Sequence, residues 1–436
     1  MNGFPRHWHP ADLERRLTAV LDVALRALEV LAPEGYTDAA DPAADVPPDK
    51  VVAETAMLLL AAARSSAGRP ALRERVDELA RQLGPFARCE QVRARVCLEP
   101  SLALTHACAH VCLACAGYAD PAYDRLLRAG LAWPDQEPSR ERPPHRELEQ
   151  QWLQGLMGSP TAPQVPAQRS VVASSMLGRQ LDTLSGTRND AYALTHAVMF
   201  ATDLGNQRLR LPRTRTAVQA DVEFALAISL DQHDYDLAGE LLLCWPMLRM
   251  PWSPAAAFAF HVLAAVEDEA GFLPTPLVRT ERYRALEGTA QRRYALATAY
   301  HTVYVMGLLC ASALTNRCAP PRTVSPARRH LHEVSDHLLA HLKAAGPRQW
   351  LDHALPLSPG RQAALSPLFL AIALHRATTA RRLETVRDLV GLAQRADLMA
   401  APAPRQAVQL LLRTSLLAST TWGHHPGREQ TLHLPF

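Results

Sequence analysis

Lysine is nearly missing from this chain: Lys50 and Lys343 stand alone among 46 basic residues, the rest being Arg. A Schiff-base or pyridoxal-phosphate mechanism therefore has almost nowhere to sit. Isoleucine is as scarce, with only Ile228 and Ile372, which argues against extensive sheet. An excess of one charge is lacking too. Against the 46 basic residues stand 43 acidic ones, for a formal charge of +3, too little for an electrostatic nucleic-acid binder. Gly-rich phosphate loops, the Rossmann fingerprint, the GxSxG elbow, HExxH, paired CxxC and the DDxxD helix of terpene synthases are all absent, so no nucleotide or flavin signature exists. Eight Cys at uneven spacing suggest reduced thiols. The N-terminal stretch has no apolar signal core before Asp12 and Glu14, and the expectation is a cytoplasmic protein.

What is present is helical periodicity and abundant apolar residue, 48% of the chain, broken by 34 Pro. Amphipathic patterns run over 12–31, 71–83, 146–156, 217–230, 327–342, 381–398 and 405–417. A second set is apolar all round: 101–119, 191–202, 255–266, 295–314 and 363–374. Pro-rich or polar stretches, 245–254 among them, separate these segments. The stretch from Tyr294 to Asn316 carries no charge and is long enough to span a bilayer. No other segment supports a membrane topology, so a buried core helix is the better reading.

The fold class is all-α. Alternation of half-buried with fully buried helices suits an irregular α/α toroid, a double ring of helical hairpins, with an open helical-repeat solenoid as the alternative. One all-helical domain over 1–436 is expected, with an N-terminal helical subdomain at 1–130 and a flexible tail at 419–436. The pentapeptide Ala-Leu-Thr-His-Ala at 103–107 recurs at 193–197, a faint internal echo.

Histidine placement is the most informative pattern. Each apolar helix carries one: His106, His196, His261, His301 and His375. A buried imidazole needs partners on both nitrogens or a metal. If these helices form an inner ring, their imidazoles converge on a cavity where a transition metal (Zn, Fe or Cu) could bind. The metal-ligand candidates are His106, His110, His196 and His301. His106 and His110 share one helix face, whereas Cys108, Cys112 and Cys115 fall opposite and read as small core residues. Asp203 lies seven residues after His196, within roughly 20° of the same face but about 10 Å further along, so it is read as lining the same cavity, as an orienter behind a ligand, or as an acid/base group at the cavity mouth. The catalytic candidates are therefore Asp203, His196 and His301.

The Arg-rich run 208–215 reads as a solvated loop, the alternative being an anion clamp. Asp231, Asp234, Asp236 and Glu240 around His233 lack EF-hand spacing and read as a turn with helix capping. Glu54 reads as dipole stabilisation near a helix start, or as a carboxylate facing the cavity.

At 190–205, at 300–309 and at 48–57 the sequence resembles an uncharacterised actinobacterial all-helical family, a domain of unknown function. That resemblance implies association with specialised-metabolite gene clusters, including those for modified peptides. It supplies no catalytic residues. The leading expectation is a tailoring enzyme acting on a small molecule or peptide in a His-lined cavity, by metal-assisted or His/Asp acid–base chemistry. The alternative is a non-catalytic scaffold that binds a peptide or protein. Neither nucleic acid nor membrane is expected as a partner.

Overall fold

Proline sets the rhythm of the fold. Its fixed φ and missing N–H suit the first helical turn, and eight helices begin on one: Pro10, Pro48, Pro70, Pro121, Pro144, Pro254, Pro359 and Pro402. A computed structural model of the chain describes residues 8–36, 45–132, 141–158, 165–275, 278–327, 329–346 and 348–421. Most of the tail expected at 419–436 lies outside them.

The first helices are α1 Pro10–Glu29, α2 Pro48–Ser65, α3 Pro70–Ala87, α4 Glu90–Leu98, α5 Ala103–His106, α6 Cys108–Cys115 and α7 Pro121–Leu131. Then come α8 Pro144–Leu156, α9 Val165–Ser174, α10 Arg188–Ala201, α11 Arg215–Asp231, α12 Tyr235–Leu248, α13 Pro254–Ala270, α14 Thr280–Ala285 and α15 Gly288–Thr315. The last are α16 His332–Ala344, α17 Gln349–Ala354, α18 Pro359–Ala364, α19 Ser366–Thr379, α20 Leu383–Arg395 and α21 Pro402–Thr421. Among the described residues there is no strand, only isolated bridges. The protein is all-α, as the sequence reads.

Six of these helices close on themselves. Contacts pass from α2 to α6, α8, α10, α12, α15 and back to α2. Paired contacts give the directions. Tyr192 and Thr195 of α10 donate hydrogen bonds to Asp236 and Glu240 of α12, so the residue numbers rise together and the helices are parallel. The same holds for α12 with α15, where Thr302 meets Asp236 and Gly239 meets Val305. It holds for α15 with α2, where His301 meets Glu54 and Tyr304 meets Thr55. It holds again for α8 with α10, where His145 meets His196 and Trp152 meets Phe200. Parallel neighbours require the chain to return between them outside the ring. Accordingly α3 packs behind α2, α9 behind α8, α11 and α13 behind α12, and α1 behind α15.

The apolar helix α15 is the one long and apolar enough to cross a membrane among the described residues, and 78% of its most apolar stretch is buried inside the protein. It touches α1, α2 and α12 along its length, which is why no face of it is polar. The C-terminal helices gather around α19, which packs on α11 away from the ring.

Close approach inside the ring rests on glycine. A Cβ built on Gly307 of α15 would lie 2.6 Å from Val20 Cγ1 and 2.9 Å from Leu58 Cδ1, so α1 and α2 both press on that point. Gly307→Val is expected to destabilise the protein by about 1–3 kcal/mol through overpacking. Urea unfolding measures this, and an unchanged midpoint would contradict the tight three-helix junction.

Candidate functional site

A cavity of about 1440 Å³ reaches into the ring, lined by residues of α2, α6, α8, α10, α12 and α15 and also of α3, α4 and α5. At mid-depth sits a tier of ionisable side chains, one or two from each of four parallel helices. His301 of α15 is its centre. Its Nδ1 lies 3.0 Å from Glu54 Oε2 of α2. Its Nε2 lies 3.4 Å from Asp236 Oδ1 and 3.4 Å from Glu240 Oε1, both on α12. Glu240 is almost fully buried, and its second oxygen accepts a 2.6 Å hydrogen bond from Thr195 and lies 3.7 Å from His196 Nε2. The Tyr192 hydroxyl donates to Asp236. Arg188 donates to Asp234 at 3.0 Å and to Asp236 at 3.3 Å.

Ionisation follows from this crowding. Burial works against a charged His301, yet the facing carboxylates of Glu54, Asp236 and Glu240 hold its pKa well above the ordinary value. Burial likewise opposes charge on Glu54 and Glu240, but the histidines beside them pull both below the usual carboxylate range, His301 for Glu54 and His196 with His301 for Glu240. For Asp236 burial wins, reinforced by the neighbouring Glu240, and its pKa is raised. Burial and the neighbouring His196 depress the pKa of His145, to about 4.

Glu54 can only accept when ionised, so His301 Nδ1 carries a hydrogen. Its Nε2 then points at two further acceptors. That nitrogen needs either a proton or a cation between it and the carboxylates. Donor atoms of Asp236, Glu240 and His301 all lie within 4.8 Å of one another. Ligands at about 2.0–2.2 Å from a metal stand roughly 3–3.5 Å apart, so the 3.4 Å spacings suit a small divalent ion. Glu54 behind the imidazole is the usual outer-sphere partner of a metal-bound histidine.

The other sequence candidates fall in different places. His196 lines the cavity beside Glu240, its ring 5.8 Å from that of Tyr192. His106 lines it as well, with Nε2 3.3 Å from Glu99. His110 is drawn away because the helix breaks at Ala107, between α5 and α6. Both its nitrogens are engaged: Nδ1 accepts from Arg88 at 3.1 Å and Nε2 lies 2.9 Å from Asp124. Burial, followed by Arg88, lowers the His110 pKa, and neither nitrogen remains for a metal. Outside the ring, His261 lies against His353 and His375 against Phe224.

Asp203 does not share a helix face with His196, because α10 ends at Ala201 and Asp203, Leu204 and Gly205 all take positive φ. It does not line the cavity. It accepts from Arg64 at 2.9 and 3.0 Å, from the Trp152 indole at 2.7 Å and from Asn206 at 3.0 Å. This cluster ties the ends of α2, α8 and α10 together beneath the cavity. In the Arg-rich run, Arg213 is held by Asp221 and Leu177 O, and Arg215 by Arg249 O.

A family model, domain of unknown function (DUF6895), matches residues 17–311. The chain belongs to this family. The match spans all six ring helices except the last residues of α15, and it takes in the whole ionisable tier; the C-terminal stack lies beyond it. No curated protein and no solved structure matches the chain.

Asp236 and Glu240 are not among the site residues the sequence predicts. The spacing reads 231–240 as a capped turn and 245–254 as a separating stretch, whereas α12 covers Tyr235–Leu248, overlapping both, with Pro246 inside it. The available signal was a pair of carboxylates four apart in an otherwise apolar stretch, which places both on one helix face. Capping itself is real at Asp234, which accepts from Leu237 N.

Removing the Asp203 carboxylate leaves Arg64 and a buried indole N–H without their acceptor. Asp203→Ala is expected to cost about 3 kcal/mol of stability in urea unfolding. Unchanged stability would contradict the bracing role.

Proposed function

We propose that the protein is an enzyme that acts on a small molecule or peptide inside the ring, using a divalent metal held by Asp236, Glu240 and His301. The observation that carries this reading is the His301 environment. One imidazole nitrogen is fixed by Glu54, and the other faces two carboxylates at ligand-to-ligand spacing. One nitrogen and two carboxylate donors favour Zn, Fe or Mn over Cu. Three protein ligands leave coordination positions open to the cavity, where the ion would lower the pKa of a bound water or polarise a substrate carbonyl. His196 lies on the far side of Glu240 and faces the cavity, the place for a group that passes a proton to or from the substrate. His301 serves as ligand rather than as acid or base. A role in tailoring specialised metabolites is the biological setting we favour.

Elemental analysis of purified, tag-free protein tests the reading. Near-stoichiometric Zn, Fe or Mn is expected, lost in Asp236→Asn and His301→Ala and kept in His196→Ala. Glu54→Gln is expected to weaken metal affinity about 10–100-fold by loosening the imidazole. No uptake of any of these metals after anaerobic reconstitution would overturn the metal reading. It would favour either His301 as a buried imidazolium or a scaffold role for the ring.

A further inference from the structure

The four parallel helices that bring the ionisable tier together carry a second tier below it. One turn beyond Glu54 on α2 lies Met57, beyond His196 on α10 lie Met199 and Phe200, beyond Glu240 on α12 lies Leu243, and beyond His301 on α15 lies Val305, with Leu308 one turn further on. All six line the same cavity. Because the helices run in one direction, the one-turn steps keep Met57, Met199, Phe200, Leu243 and Val305 at about one level, with Leu308 one turn deeper. The cavity is thus polar at mid-depth and apolar beneath. From His301 to Leu308 is seven residues, about 10 Å of helix.

The deep end is floored. Phe200 packs against Trp152 with ring centroids 5.3 Å apart, and Trp152 donates to Asp203, which is clamped by Arg64. Charges higher in the cavity are already paired: Asp49 with Arg95, Arg146 with Glu149, Arg188 with Asp234. At about 1440 Å³ the space exceeds the roughly 300–1,000 Å³ of an ordinary small-molecule pocket. A wholly polar substrate would leave the lower tier to ordered water without polar partners.

We propose that the cavity takes an amphipathic small molecule with an aliphatic body, seated apolar end first between Met57, Leu243 and Leu308, with its polar end against Asp236, Glu240 and His301. This deepens the reading above. It relies on that reading for which end of the ligand reacts, and on the two-tier geometry for binding. Reaction then falls at or near the polar terminus, while the length of the aliphatic part sets affinity.

Isothermal titration calorimetry with uncharged primary n-alkyl amides of increasing length tests the proposal on the full chain. Affinity is expected to rise about three- to fourfold per added methylene and then to level off where the chain reaches Phe200. Met57 is only partly buried and borders the cavity, so changes there alter its space with little cost to the core. Met57→Trp is expected to bring the plateau to shorter chains, and Met57→Ala to longer ones. Either variant alone suffices if the other does not fold. Affinity that is flat with chain length overturns the proposal, as does a plateau that moves in neither variant. The amide head carries no charge, so a cluster that binds no metal leaves this series intact, and a flat series leaves the metal content as it was.

Discussion

Everything in the ring is arranged around one imidazole set among three carboxylates. Glu54, Asp236 and Glu240 approach His301 from two helices, and Glu240 is 2% exposed. Buried carboxylates in such number repel one another and lose their hydration, a cost of several kcal/mol per ion unless a cation compensates. Neighbouring donors answer part of the charge: Thr195 for Glu240, Tyr192 and Arg188 for Asp236, Lys50 near Glu54 at 3.9 Å. The remaining demand falls on His301 Nε2, between two acceptors. A proton held there by the facing carboxylates would meet part of it, and a divalent ion would meet it through all three side chains at once. That demand is the physical reason for reading a metal centre here.

Parallel packing is what makes such a tier possible. Four helices running the same way present equivalent positions at equal depth, so residues far apart in sequence, 54, 196, 236–240 and 301, fall on one level. The same geometry stacks an apolar level below and ends in a brace of Arg64, Asp203 and Trp152. The brace and the ionisable tier are thereby kept in separate layers. The lower brace joins the helix ends below the tier of buried charge. Parallel order also dictates the outer helices, since each inner helix must be followed by a return.

The all-α class is legible in the sequence, but which helices line the ring is not: the all-apolar 255–266 and 363–374 fall in α13 and in α18 and α19 outside it, while the amphipathic 146–156 falls in α8 within it. His301 and His196 were visible as imidazoles on apolar helices, and both reach the cavity. Other inferences failed for local reasons. Continuing α10 two residues past Ala201 would put Asp203 in line with His196, whereas three residues of left-handed backbone turn the chain away at its end. A straight helix through 101–119 put His106 beside His110, whereas the break at Ala107 separates them. Proline at 246 and the acidic cluster before it disguised α12, and with it the two carboxylates of the site. Pairings such as His301 with Glu54, 247 residues apart, depend on which helices adjoin in the ring, and no local pattern encodes that.

Anomalous X-ray diffraction from crystals grown with Mn or Zn, with data on both sides of the metal's absorption edge, tests the central claim most directly. One strong peak is expected within bonding distance of His301 Nε2, Asp236 and Glu240, with Glu54 still on Nδ1. A cavity with no peak, and with His301 Nε2 hydrogen-bonded straight to a carboxylate, would contradict it.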